Sequence, residues 1–297
     1  MKKMLITGAS GFLGMPIVRE LAECGEYEIY AVTSGRRYVE FPKGVNTVTA
    51  NLLEHERSKR LIEEIRPEIV AHLAWELSEP GYLVSSTNLV WLEESLRILR
   101  TFVESGGKYF AFAGSSAEYG HFRGFSENEK FIETSIYGHC KNSFHQTAQK
   151  LCGAGGIDYV NLRFFPTLGR GMRTNVAAAT AAATFAAGKR FICKSPYNIW
   201  DFISICDASK AACAVIKKQY SGVVNIGSGI PRAMGDVFKA IAQKMDCSHL
   251  FSLDYENNAK EILVANTDIL GKVIGYTCST GFDEMLDDMI AAVRGDS

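Results

Sequence analysis

Met4-Leu5-Ile6-Thr7-Gly8-Ala9-Ser10-Gly11-Phe12-Leu13-Gly14 decides the fold. An apolar run of three residues, Met4 to Ile6, leads through Thr7 to a glycine, and glycines recur at 8, 11 and 14 before an amphipathic stretch to Cys24. A buried strand, a tight turn and a helix are the reading. Glycines at that interval let the backbone turn, let N–H groups approach a pyrophosphate, and let helix and strand pack closely. The helix N-terminus then stabilises phosphate charge. Gly8, Ser10, Gly11, Phe12, Leu13 and Gly14 are therefore candidate dinucleotide-binding residues.

The same alternation continues outward from this unit. Strands are expected at 29–33, 45–49, 69–74, 109–113 and 159–164. Helices are expected at 54–65, 88–105 and 137–152, with Pro67 and Gly106-Gly107 as stops. Alternating strands and helices predict an α/β fold, a doubly wound parallel sheet that binds ligands beyond the carboxyl ends of its strands. After Phe165 the pattern loosens. An alanine-rich helix at 176–187, a strand at 200–205, a helix at 208–218, a strand at 223–226 and helices at 234–245 and 283–293 follow. The expected division is a dinucleotide-binding domain of 1–168 plus about 201–226, interleaved with a smaller substrate lobe of 169–200 and 227–297.

At the end of the second strand, dinucleotide folds commonly place an acid against the ribose 2′-OH. This sequence reads Thr33-Ser34-Gly35-Arg36-Arg37 there, and arginine accommodates a 2′-phosphate. The expectation is NADP(H), with NAD(H) as the alternative and Arg36 and Arg37 as solvated charges in the plainer reading.

The second chemical signal is Tyr137-Gly138-His139-Cys140-Lys141. At a helix start, Tyr137 and Lys141 lie one turn apart on the same face. A nearby ammonium favours the phenolate of a tyrosine whose unperturbed pKa is about 10, and so lets it exchange a proton with an alcohol or carbonyl. Ser115 and Ser116 follow directly on the 109–113 strand, where a hydroxyl can hold a carbonyl oxygen as charge develops. Alone, the Tyr-Lys spacing matches many helices; with the glycine loop and the serines it predicts an enzyme of carbonyl and alcohol chemistry.

These motifs together resemble the extended short-chain dehydrogenase/reductase family, in particular its sugar-nucleotide epimerases, dehydratases and reductases. The resemblance runs through TGASGFLG (7–14), VAHLA (70–74), GSSAEYG (114–120), YGHCK (137–141), LRFF (162–165), WDFISICD (200–207) and VVNIGSG (223–229). It implies Tyr137 as acid/base, Ser115 as its hydroxyl partner with Ser116 as fallback, and Lys141 on the nicotinamide ribose. It also implies cofactor contacts from Thr33, Asn51, Leu52, Leu73, Ala74 and Phe164. Candidates on the substrate side are Ser116, Glu118, Thr167, Arg173 and Trp200. Glu118 reads either as a substrate contact or as a solvated turn residue, and Trp200 as a stacking platform or a half-buried strand aromatic.

Departures from the family narrow the reaction. Sugar dehydratases need an acid/base pair directly after the catalytic hydroxyl, whereas Ser116-Ala117 stand here, and alanine moves no proton. Relatives often carry arginine before Asp-Phe-Ile and a second in the C-terminal lobe. Trp200 and the stretch Asn257-Asn258-Ala259-Lys260 stand there instead. Arg170, Arg173 or Lys189 could bind phosphates in their place. The expected activity is a 4-keto-sugar-nucleotide reductase. The alternatives are a nucleotide-sugar 4-epimerase with tightly held NAD, a reductase of a non-sugar carbonyl, and a dinucleotide sensor without catalysis.

Bulk composition sets the remaining bounds. With 32 basic and 33 acidic side chains and a formal net charge of −1, the chain carries no electrostatic footprint for nucleic acid. No apolar run reaches the roughly 18 residues of a membrane span, and the opening apolar run is too short for a signal peptide, so a cytoplasmic protein is expected. Eight singly scattered cysteines read as buried thiols rather than a zinc site or disulfide framework. His72, in an apolar strand, reads as a structural imidazole. The resemblance implies a homodimer through the 88–105 and 137–152 helices, and a nucleotide-sugar partner.

Overall fold

The computed structural model describes residues 1–36, 38–77, 81–120, 135–172, 176–256 and 261–295. Its centre is a seven-stranded, all-parallel sheet. Six strands are β1 (Lys2–Thr7), β2 (Tyr27–Thr33), β3 (Asn46–Thr49), β4 (Ile69–His72), β5 (Tyr109–Ser115) and β6 (Asp158–Phe164), and the seventh is Gly222–Ile226. From one edge the order is the 222–226 strand, β6, β5, β4, β1, β2, β3. All of β4 and the first six residues of β5 are buried, the continuous burial of strands covered on both faces.

One face is covered by α1 (Gly14–Glu23), and the other by α2 (His55–Ile65), α3 (Thr87–Glu104) and α4 (Ile136–Gly155). Further along the chain lie α5 (Ala177–Ala186), α6 (Ile205–Lys217), α7 (Met234–Lys244) and α8 (Phe282–Arg294). Helix α6 joins α1, where Ala208, Ala211, Ala212 and Val215 pack with Ile17, Val18 and Leu21. The strand order reverses between β1 and β4, so a crevice opens beyond their carboxyl ends. No helix among the described residues is long and apolar enough to cross a membrane.

The strand expected at 200–205 is different. Ile199–Asp201 and Ile203–Ser204 are two short strands in separate sheets, and α6 already begins at Ile205. The cause is a cap. Ser204 Oγ accepts the backbone N–H of Asp207 at 2.9 Å, satisfying a donor that the helix start leaves open. A one-turn π-helix at Ile269–Ile274 was not foreseen either, and its Leu270 packs into the sheet core. All eight cysteines are free, and Cys206 is exposed rather than buried.

A separate apolar cluster joins α5, α7 and α8 through Phe185, Phe238, Ile241, Leu286 and Met289. Two aspartates fasten the chain around it. Buried Asp201 accepts Ser228 N, Ser228 Oγ, Gly229 N and Ala265 N. Asp207 accepts Tyr276 Oη at 2.7 Å, Ser279 N at 3.0 Å and Thr280 N at 2.9 Å. Burial alone would raise the Asp207 pKa, but these donors outweigh it and bring it down to about 2.

The carboxyl ends of β5 and β6 are tied by one carboxylate. Glu118, on the 3-10 turn Ser116–Tyr119, is 1% exposed. Its Oε1 accepts the backbone N–H of Ser115 at 2.8 Å, and its Oε2 accepts Asn161 Nδ2 at 2.7 Å and Arg163 Nε at 2.8 Å. Gly114 makes room for it: a Cβ there would stand 2.4 Å from Oε1. Glu118 is thus not a solvated turn residue. Every bond it makes is internal, and Arg163 stacks in turn on the Tyr119 ring, 4.5 Å from its centroid.

Removing one member of a buried ion pair strands the other. Glu118→Ala is expected to cost about 3–5 kcal/mol in a urea unfolding titration, and Glu118→Gln clearly less, because it keeps the hydrogen-bond acceptor toward Ser115. Asp207, with its folded pKa below the usual 3.8, contributes stability that is present above about pH 4 and lost as pH falls toward 2. Asp207→Asn should lower stability at neutral pH by about 1–2 kcal/mol and flatten the unfolding free energy across that window.

Candidate active site

The glycine loop sits at the strand-order reversal. Gly8 has φ +67°, and a Cβ on it would lie 2.8 Å from Ala74 N, so β1 and the chain after β4 meet backbone to backbone. Gly14 is closed in more tightly: its Cβ would fall 2.1 Å from Gly8 O. Gly11 N–H donates to Gly8 O at 2.9 Å, which completes the turn. No side chain caps α1 at Leu13; Met15 N–H donates to Gly11 O at 3.1 Å, and Pro16 has no N–H to satisfy. Ser10 and Thr33 share a hydrogen bond of 3.0 Å, which ties the loop to the end of β2.

His72 is held inside this frame. Thr7 Oγ1 accepts Leu73 N and Ala74 N, so its proton goes to His72 Nδ1 at 2.7 Å, and the ring donates from Nε2 to Ser95 Oγ at 2.9 Å. Burial, helped by the Lys141 charge, pushes its pKa down to about 3. The imidazole is neutral and structural. Beyond β2, Arg36 is exposed and pairs with Glu76 at 3.4 Å, while Arg37 lies outside the described residues. Asn51 is exposed and accepts Leu53 N, with Leu52 buried beside it.

Ser115, Tyr137 and Lys141 come together at the end of β5. Ser115 caps the following turn by accepting Ala117 N at 3.1 Å, and pairs in register with Phe164 of β6. Ser135 caps α4 by accepting Gly138 N at 3.2 Å, which sets the first turn carrying Tyr137. Tyr137 is 6% exposed, with the Ser115 side chain near enough to act on its phenol. Burial pushes its phenol well up, and the Ser115 hydroxyl acts in the opposite direction. One turn on, Lys141 is 2% exposed and donates to Ala113 O at 2.8 Å. Burial lowers its pKa to about 7, with the Glu118 charge acting the other way.

The substrate-side candidates are more scattered. Ser116 is buried beside Ser115, and Thr167 donates to Phe165 O. Arg173 and residues 257–260 lie outside the described residues. Arg170 is engaged by Asp288 through both its backbone N–H and its guanidinium. Trp200 packs as a half-buried strand aromatic against the α5/α7/α8 cluster, 6.4 Å from Phe202.

Three participants were not foreseen from sequence. Arg232 stands across the 199–201 strand from Trp200 and lies 3.8 Å over the Phe282 ring, a placement visible only once the antiparallel pairing is known. Trp75 packs against Lys141 and is held in turn by a hydrogen bond to Asn88. A tryptophan directly after HLA was the available signal, but nothing local linked it to a lysine on another helix.

The frame fits a dinucleotide. The Gly8/Gly14 cradle and the start of α1 without a side-chain cap suit a pyrophosphate. Residues 4–227 match the model of the NAD dependent epimerase/dehydratase family. ADP-L-glycero-D-manno-heptose-6-epimerase of Thiobacillus denitrificans is 24% identical over 255 residues, covering 78% of this chain and 75% of that protein. dTDP-6-deoxy-L-talose 4-dehydrogenase (NAD(+)) of Aggregatibacter actinomycetemcomitans is 25% identical over 234 residues, covering 78% and 86%. The UDP-glucose 4-epimerase of Thermus thermophilus, solved with NAD, superposes with a TM-score of 0.81 at 22% identity, over 99% of this chain and 100% of that one. With the family model spanning most of its length, the chain belongs to the NAD dependent epimerase/dehydratase family, within the extended short-chain dehydrogenase/reductases.

Proposed function

We propose that the protein moves a hydride between a nicotinamide dinucleotide and a carbonyl or alcohol carbon of a nucleotide sugar, as a 4-keto-sugar-nucleotide reductase. The observation that carries this reading is the gathering of Ser115 and Tyr137 at the end of β5, with Lys141 one helical turn on and donating to Ala113 O. The nicotinamide, when bound, supplies or accepts the hydride. Tyr137 Oη gives the proton to the carbonyl oxygen, or takes it from the alcohol in reverse. Ser115 Oγ holds the same oxygen as charge develops on it. The Lys141 ammonium favours the phenolate that this exchange leaves behind and offers N–H donors to the ribose. Ala117, beside Ser116, supplies no proton for the elimination of water that a dehydratase needs.

Thr33, at the end of β2, is where an acid would hold a ribose 2′-OH, and Arg36 stands exposed close by. Both support NADP(H). A second reading, a nucleotide-sugar epimerase with retained NAD, is supported by the engagement of Arg36 with Glu76 and by the epimerases among the relatives. The homodimer belongs to either reading, with Leu89 and Val90 exposed on α3.

Purified protein separates the two. A reductase should pass gel filtration without nicotinamide absorbance and oxidise added NADPH in the presence of a 4-keto sugar nucleotide. An epimerase should retain its cofactor. Tyr137→Phe is expected to lower turnover at least about 100-fold with cofactor binding unchanged, since it removes only the transferable proton. Thermal-shift screening with UDP-, dTDP-, GDP- and CDP-sugars and each cofactor should show one stabilising pair. Stabilisation by none of the sugar nucleotides overturns the sugar assignment and points to a non-sugar carbonyl.

A further inference from the structure

Lys141 is held in an unusual setting for a buried ammonium. Among the described residues its hydrogen bond goes to one neutral acceptor, Ala113 O, and it makes no ion pair with a carboxylate. Aromatic faces surround it instead. Nζ lies 4.0 Å from the centroid of the Trp75 ring, 4.6 Å from Phe112 and 5.8 Å from Tyr137. A desolvated cation over an indole face gains more than the same contact in water, because no solvent screens the ring quadrupole.

Trp75 is itself anchored. Its Nε1–H donates to Asn88 Oδ1 at 2.8 Å, and Asn88 Nδ2 donates to Tyr82 O at 2.6 Å and Ser85 O at 2.9 Å. The ring meets Tyr137 edge-on at 6.3 Å and stacks with Trp91 at 6.2 Å. Through Ala74 it follows directly on the backbone against which Gly8 packs. The indole therefore connects the glycine loop, the start of α3 and the lysine of α4.

We propose that Trp75 is a positioning residue for Lys141, its indole face holding the ammonium charged and its Asn88 anchor fixing the place of that face. The inference rests on the reading of Tyr137 and Lys141 as the reacting pair, but concerns the lysine itself. The other titratable groups around Nζ do not replace the ring. Glu118, on the turn after β5, favours the ammonium from beyond ion-pair distance and is spent on Arg163 of β6. His72 of β4 is neutral, and on α4 itself burial raises the Tyr137 phenol and the Cys140 thiol. With the indole removed, the charged form loses the aromatic face in contact with it and the titration of Lys141 moves to lower pH.

The test is a lysine ¹³Cε NMR titration of the full chain, with the Lys141 signal assigned by its loss in Lys141→Met. Trp75→Leu is expected to lower the Lys141 midpoint by about one pH unit, a tenfold change in the protonation constant. Trp75→Phe, which keeps an aromatic face, should restore most of it. In a working assay, Trp75→Leu should lower kcat about tenfold with KM within about twofold, and Trp75→Phe should recover it. Should Trp75→Leu fail to fold, Asn88→Ser frees the indole N–H while leaving the ring, and a smaller shift in the same direction is expected. A midpoint that stays in place or rises in the folded variant overturns the proposal. The titration reads Lys141 without turnover. An inactive Lys141→Met alongside an unmoved midpoint sinks this inference alone, whereas a fully active Lys141→Met sinks the catalytic reading.

Discussion

The buried pair of Glu118 and Arg163 is the constraint on which the site depends. Taking both charges out of water is costly, and the cost is offset by the donors that meet the carboxylate, although Asn161 Oδ1 beside them has no hydrogen-bond partner among the described residues. The carboxylate meets a guanidinium, a side-chain amide and a backbone N–H, and each comes from a different point in the chain. The bond to Ser115 N is the one with chemical consequence. It holds the last residue of β5 at a set height above the sheet, and so sets where the Ser115 hydroxyl meets Tyr137. The same network reaches the 222–226 strand through Tyr119, whose Oη donates to Asn225 Oδ1.

Around this fixed point the site sets two opposed demands. A tyrosine that exchanges protons needs positive charge nearby, yet a dry pocket disfavours both the phenolate and the ammonium. Lys141 sits at the balance. Burial drives its pKa down and the Glu118 charge opposes that, while a carbonyl and an indole face, and among the described residues no carboxylate, stand in contact with the ammonium. A carboxylate in contact would hold the lysine charged at every working pH, but would cancel the field that Tyr137 requires. Neutral acceptors and π faces keep the charge without neutralising it.

Much of this was legible in the sequence, and the reason differs from residue to residue. The loop at 7–14 could be read because a turn is local: glycines three apart constrain only their own neighbours, and Gly8 and Gly14 take the conformations the spacing calls for. Tyr137 and Lys141 could be paired because one helical turn separates them. The strand expected over 200–205 was misread because its apolar residues hid a helix cap, Ser204 with Asp207, which ends the strand early. Glu118 was misread because a charged residue in a turn is ordinarily solvated, and nothing within the turn points to Arg163, 45 residues on.

The sequence by itself determined the order of strands and helices, the phosphate-facing turn and the residue types that carry the chemistry. Those properties follow from periodicity and backbone sterics within a few residues. Tertiary structure alone decided which side chains serve the reacting ones. The indole of Trp75 over Lys141 and the carboxylate of Glu118 under Ser115 depend on which strands lie side by side. Burial then sets the energies, since the same pairs in water would be weak and in the interior hold the site in one arrangement.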